Sequence, residues 1–282
     1  MKLTLTAVSV GAAAVAASAL FCLAADKPAD GKKKLLFYSQ SFGFRHSVVT
    51  RPKSGELSHA EKVLKEIGEK AGYQVDVTQD FRDLENEKQL QEYAGIVIYT
   101  TGNPLVNRDA LLKYLRNGGA LIGIHTATDS FHSPMNVDVP MGDGKTAKLS
   151  VPDWPEYIRI MGAAFRTHGH QATATMKIHD RNHPATKMLE DGWTLHEEMY
   201  LFSRYNDKVH LLVSMDTDKM DDETLKKLNL KKGEFAPVAW TNTEGKGRVF
   251  YTSLGHREDV WTNPVFQQHL LGGIAWAVKL AE

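Results

Sequence analysis

Apolar and polar positions begin to alternate in an ordered way at Lys34. Leu35-Leu36-Phe37-Tyr38 is an apolar run too short for a helix and reads as a buried strand. Residues 39–53 are polar and aperiodic, a loop. Over 54–70 apolar residues recur at Leu57, Val63, Leu64 and Ile67, a helical spacing, and Gly72 supplies the stop. Residues 73–77 predict a second strand and 95–99 a third. A helix follows over 108–116, halted by Gly118-Gly119, and then a fourth strand over 120–124. Strands alternating with helices build a parallel sheet covered on both faces. Right-handed crossovers then make a doubly wound, flavodoxin-like α/β arrangement the expected fold.

The second half has a different rhythm. Residues 171–178, 194–202, 209–215, 235–241 and 248–254 are strand-like with few helices between them, so some must pair antiparallel. Glu244-Gly245-Lys246-Gly247 is a turn that joins the last two as a hairpin. Helical spacing returns over 264–279 through Phe266, Leu270, Ile274 and Val278. Residues 130–155 carry Pro134, Pro140, Pro152 and Pro155 with Gly142 and Gly144 and no regular period. They predict a long ordered loop placed to cover a pocket.

Ahead of this domain, Lys2 precedes an apolar run over 3–23, and Cys22-Leu23-Ala24 gives a small-x-small cleavage pattern. The expectation is a signal peptide over 1–24, a flexible mature start over 25–33 and a single domain over 34–282, exported to the periplasm or beyond. An uncleaved amino-terminal anchor is the alternative. Cys22 is the one cysteine in the chain. A mature protein starting after it has no disulfide, no thiolate nucleophile and no cysteine-ligated metal. Acidic and basic residues balance at 34 each, without a basic stripe. That argues against nucleic acid or a membrane surface as partner and for a small, neutral or weakly charged ligand.

Open parallel sheets bind ligands beyond the carboxyl ends of their strands. Phe44, Arg45 and His46 come after the first strand, His125 to Asp129 after the fourth, and His256 and Arg257 after the last. His168 and the Glu197-Glu198-Met199-Tyr200 segment add to them. Imidazole beside carboxylate serves both general acid–base catalysis and first-row metals. His46, His125, His168, Glu198 and His256 are accordingly candidate ligands for a divalent metal, Zn²⁺ or Mn²⁺. Strand alternation places Glu198 and Tyr200 on one face and Glu197 on the other, which makes Glu198 the pocket carboxylate and Glu197 a solvated or structural one. His59, His132, His179, His210 and His269 read as ordinary surface or core residues. Trp154, Trp193, Trp240 and Trp261 read as core, although each ring is able to stack on a sugar. No glycine-rich nucleotide loop and no His-Glu-x-x-His helix is present.

The segment Gly118-Gly119-Ala120-Leu121-Ile122-Gly123-Ile124-His125 is similar to the strand-to-turn element with which class I glutamine amidotransferases present their cysteine. An imidazole at that elbow cannot form their acyl-thiol intermediate. Gly162-x-x-Phe165-x-x-His168, Asn182-His183-Pro184, Glu197-Glu198-x-Tyr200, Pro237-Val238-x-Trp240 and the run from Gly245 to His256 complete a pattern that resembles the ThuA-like family of trehalose utilisation. Members usually carry Asp where this chain has Glu197. The resemblance implies a class I glutamine amidotransferase-like fold without the thiol triad, and a place in glycoside catabolism through keto-sugar intermediates.

The function expected is a carbohydrate-active enzyme working on a glycoside or a 3-keto sugar. His125 or His256 is the expected base, with His46 beside them, and Glu198 or Tyr200 assists the leaving oxygen. Phe44, Arg45, Asp129, His168 and Arg257 are expected to bind the sugar. A non-catalytic sugar-binding protein is the alternative, and an oxidoreductase of the same pathway is the expected protein partner.

Overall fold

The computed structural model describes residues 33–140 and 145–281. The segment expected to be a signal peptide, most of 25–33, and Gly142 and Gly144 lie outside the described residues. Described helices are all too short or too polar to cross a membrane.

The first half runs β1 (Lys34–Tyr38), α1 (His59–Lys70), β2 (Gln74–Thr78), α2 (Glu87–Leu90), β3 (Gly95–Ile98), α3 (Arg108–Arg116) and β4 (Ala120–Ile124). Then come β5 (Met135–Pro140), β6 (Thr146–Val151), α4 (Pro155–Met161), β7 (Ala164–His168) and β8 (Ala172–Ile178). The chain closes with β9 (Thr194–Glu197), β10 (Tyr200–Ser203), β11 (His210–Met215), α5 (Asp222–Lys227), β12 (Pro237–Glu244), β13 (Gly247–Thr252), α6 (Glu258–Trp261) and α7 (Pro264–Ala277).

Nine strands form one mixed sheet in the order β2-β1-β3-β4-β13-β12-β11-β8-β9. The side from β2 to β13 is parallel, and from β12 onward the pairs are antiparallel. Strand alternation divides the core between two faces. Leu35, Phe37, Val97, Ile122 and Phe250 meet Leu64 and Ile67 of α1 and Phe266 and Leu270 of α7. Leu36, Ile96, Leu121 and Val249 meet Leu111 and Leu115 of α3 and Tyr157 and Ile160 of α4.

Three readings of the sequence need correction. The first helix starts at His59 rather than at residue 54, because Ser58 and Glu61 form a reciprocal capping box that fixes its first turn. Residues 130–155 are not a loop throughout. β5 and β6 pair antiparallel, Met135 opposite Val151, and Val137, Val139 and Val151 pack inward. Pro134 and Pro140 flank that alternating stretch and mask it in the sequence. Last, the run 194–202 is two strands. β9 ends at Glu197, the chain turns through Glu198 and Met199, and β10 leaves to pair with β7. The strict alternation expected across Glu197, Glu198 and Tyr200 is therefore broken, and both carboxylates are buried.

Candidate active site

Adjacent parallel strands bring the central pair of residues together. Ile124 of β4 lies opposite Thr252 of β13, so the next residues along, His125 and Ser253, emerge side by side. His125 opens a short 3-10 turn with φ of 45°, a left-handed conformation uncommon for a side-chain-bearing residue and a mark of elbow turns at functional sites. Its ring is fully buried, and Nδ1 lies 2.6 Å from the carbonyl oxygen of Ser253. A carbonyl only accepts, so Nδ1 carries a proton and Nε2 faces the pocket.

His256 arrives from the loop after β13. Its Nδ1 stands 3.3 Å from His125 Nε2 and 3.1 Å from Glu198 Oε2, and Glu198 Oε2 is 3.4 Å from His125 Nε2. His46, beyond β1, packs edge-on to both rings at centroid distances of 5.1 and 4.9 Å, and its buried Nδ1 has no hydrogen-bond partner. One ligand atom from each of His46, His125, Glu198 and His256 falls within 4.8 Å of every other. Four of the five residues expected as ligands thus converge. The fifth, His168, stands outside them, half-exposed, with Nδ1 2.7 Å from the Gly169 carbonyl and 3.3 Å from Glu198 Oε1.

Charge within the cluster is polarised. Burial pushes the His46 pKa down to about 3, helped by the neighbouring His125 and His256, so its ring is neutral. Burial works against charge on Glu198 as well, but hydrogen bonds and attraction from His125 and His256 overcome it and hold the carboxyl below its usual range. For His256 burial favours the neutral ring, yet the Glu198 bond and charge prevail and raise its pKa. Burial raises the Tyr200 phenol well above its ordinary value.

Aromatic rings wall the cluster. The Tyr200 ring lies 4.1 Å from that of His125, held from behind by Phe165. Tyr99 packs 5.8 Å from both His46 and His125. Pairing of β10 with β7 sets Tyr200 opposite His168, so both reach the site from one small sheet. The residues expected to bind sugar lie around the mouth. Phe44 is 71 % exposed and meets the edge of His46, and Arg45 is exposed beside it. Asp129 pairs with His132, and Arg257 with Asp259 and Gln171, so those two are already engaged. Sequence reasoning missed Tyr99, although its place at the end of the third strand was a usable signal, and it missed Ser253, which nothing in the sequence marks.

A cleft of about 440 Å³ lies at the other end of the strands, beside Thr241 to Thr243 of β12, which pair with the start of β13. The buried Nε2 of His183 there has no hydrogen-bond partner, while other polar groups around the cleft are engaged. His210 pairs with Asp180, Asn242 donates to the carbonyls of Arg159 and Ile160, and the Arg248 guanidinium covers Trp276. Among the described residues, the converging set of ligand atoms is the one at the histidine cluster.

The family model for trehalose utilisation (ThuA) matches residues 34–277. The chain belongs to the ThuA family. A ThuA-like protein from Bacteroides uniformis shares 20 % identity over 89 % of this chain and 94 % of its own, with a TM-score of 0.61. Another from Parabacteroides merdae shares 23 % over 88 % and 90 %, with a TM-score of 0.58. A cold-adapted β-galactosidase from Rahnella shares 13 % over 89 % of this chain but 32 % of its own, with a TM-score of 0.50. At these identities the solved structures bear on the ThuA fold alone. No curated protein matches the chain. Within this ThuA-family fold, His125 occupies the elbow at the end of β4, and the donor set around it is imidazole and carboxylate.

Proposed function

We propose that this ThuA-family protein is an exported carbohydrate-active enzyme that uses acid–base chemistry, assisted by a divalent metal such as Zn²⁺ or Mn²⁺, on a glycoside or 3-keto-sugar derivative. The observation that carries the reading is the triangle of His125 Nε2, His256 Nδ1 and Glu198 Oε2, with edges of 3.1, 3.3 and 3.4 Å. Metal–ligand bonds of about 2.0–2.1 Å in tetrahedral array place neighbouring ligands about 3.3 Å apart. The unpartnered Nδ1 of His46 and the Ser253 bond that orients His125 fit the same centre, since metal-binding imidazoles are commonly held by a carbonyl at their other nitrogen. His46, His125, Glu198 and His256 would hold the ion, with His168 beside them. Bound there, a divalent metal supplies a Lewis acid for a keto oxygen.

The remaining groups move protons. A 3-keto group acidifies the hydrogen on C2. Loss of that proton with departure of the C1 oxygen splits the glycosidic bond, leaving a C1–C2 double bond and the free alcohol. His168, half-exposed and with Nδ1 engaged, offers Nε2 as the base. Tyr200, kept protonated by burial, offers a donor to the leaving oxygen. Phe44 and Arg45 at the mouth suit a sugar ring and its hydroxyls. A 3-keto sugar is the two-electron oxidation product of a sugar alcohol group, so an oxidoreductase must supply it. The apolar segment at residues 3–23 supports export. The doubly wound, flavodoxin-like reading of the first half finds support in the strand order β2-β1-β3-β4.

The deciding experiment is metal analysis of the purified protein and its His125→Ala and His256→Ala variants, followed by incubation with a 3-keto glucoside. Stoichiometric metal in the wild type, its loss in both variants, and release of an ultraviolet-absorbing enone by the wild type alone are expected. Metal-free protein that binds the sugar and leaves it intact overturns the enzyme reading in favour of a sugar-binding protein.

A further inference from the structure

Glu197 has no part in the ligand set, yet it is fully buried. Among the described residues it forms no ion pair with Lys, Arg or His, and burial raises its pKa. Burying a carboxylate costs several kcal/mol unless hydrogen bonds replace the lost water. Three backbone donors do so. Oε1 accepts from the Glu198 N–H at 2.8 Å, and Oε2 accepts from Gly255 N–H at 3.0 Å and His256 N–H at 3.2 Å.

Those donors belong to two segments far apart in the chain, the turn after β9 and the loop after β13. They are the segments that carry Glu198 and His256. The Gly255 carbonyl is held as well, accepting from Trp261 Nε1 at 2.8 Å and the Tyr99 hydroxyl at 3.3 Å. Gly255 sits at φ of 112°, a conformation side-chain-bearing residues rarely adopt, and this turn sends its N–H and that of His256 to one oxygen.

We propose that Glu197 is a positioning residue whose carboxylate staples the backbone of Glu198 to that of Gly255 and His256, and so sets the spacing between Glu198 Oε2 and His256 Nδ1. The metal-binding consequence rests on the reading under Proposed function; the staple itself does not. Glu197→Gln removes one acceptor and turns an amide N–H₂ toward backbone N–H groups, leaving at least one of the three without a partner.

The test compares wild type, E197Q and Asn107→Ala, a loss of the α3 amino-terminal cap used as a control for general destabilisation. Amide hydrogen exchange is read on the metal-free proteins, and Zn²⁺ affinity by competition titration. In E197Q at least one of the amides of Glu198, Gly255 and His256 is expected to exchange at least tenfold faster while that of Ile122 in β4 stays protected, and the Zn²⁺ dissociation constant rises about 10–100-fold. N107A is expected to retain wild-type Zn²⁺ affinity. Unchanged exchange at the three amides in E197Q overturns the staple. If wild type takes up no Zn²⁺, the metal reading fails and the exchange data still decide the role of Glu197. Should E197Q not fold, Gly255→Ala moves the donors away from an intact carboxylate. Exchange at His256 as slow as in wild type then overturns the proposal.

Discussion

His125 Nδ1 lies 2.6 Å from the carbonyl oxygen of Ser253, and this contact decides which face of the imidazole meets the pocket. The register of β4 on β13 enforces it, since Ile124 and Thr252 are paired immediately before the two residues diverge. Nitrogen-15 NMR of the metal-free protein is expected to show a proton held on His125 Nδ1. Added Zn²⁺ is expected to shift Nε2 and leave the Nδ1 proton in place. A proton found on Nε2 instead would contradict the orientation of the whole cluster.

Tyr200 separates packing from chemistry. Its ring supports His125 at 4.1 Å, while its hydroxyl is the proposed donor to the leaving oxygen. Tyr200→Phe keeps the ring and removes the hydroxyl. Metal content and folding are expected to match wild type, with turnover of a 3-keto glucoside lowered about 100-fold. Turnover at the wild-type rate would remove Tyr200 from the reaction.

His269 makes stability depend on pH. It is fully buried in α7, bonded to the Ala185 carbonyl and Thr252 Oγ1, and burial lowers its pKa to about 4. Unfolded histidine titrates near 6.5. Between these values the unfolded chain binds a proton that the folded chain refuses, so stability is complete above pH 6.5 and falls as pH drops toward 4. The loss amounts to about 3 kcal/mol by the usual 1.36 kcal/mol per unit. Urea unfolding of wild type and His269→Gln across this range is expected to show a shallower pH slope in the variant. Equal slopes would place the titration elsewhere.

The sequence by itself determined the parts of this protein that obey local rules. Strand and helix periods located β1 to β4, α3 and the β12–β13 hairpin, because each buries a face whose repeat is written in adjacent residues. The same strand ends marked His46, His125 and His256, since a parallel sheet gathers the residues beyond its strands at one edge. Only the tertiary structure decided how those ends meet. The turn at Glu198 and Met199 breaks an apparently continuous strand because β8 begins at Ala172, opposite Glu197, so the ladder ends there and β10 pairs with β7 instead. That break puts Glu198 among the imidazoles and Glu197 behind them, where alternation alone separates the two onto opposite faces. Ser253, Tyr99 and the Gly255 amide act through backbone atoms or through neighbours far away in sequence, as with Tyr99 and Gly255 at a separation of 156. No local pattern encodes such contacts, because they come into being when strands distant in the chain are laid side by side.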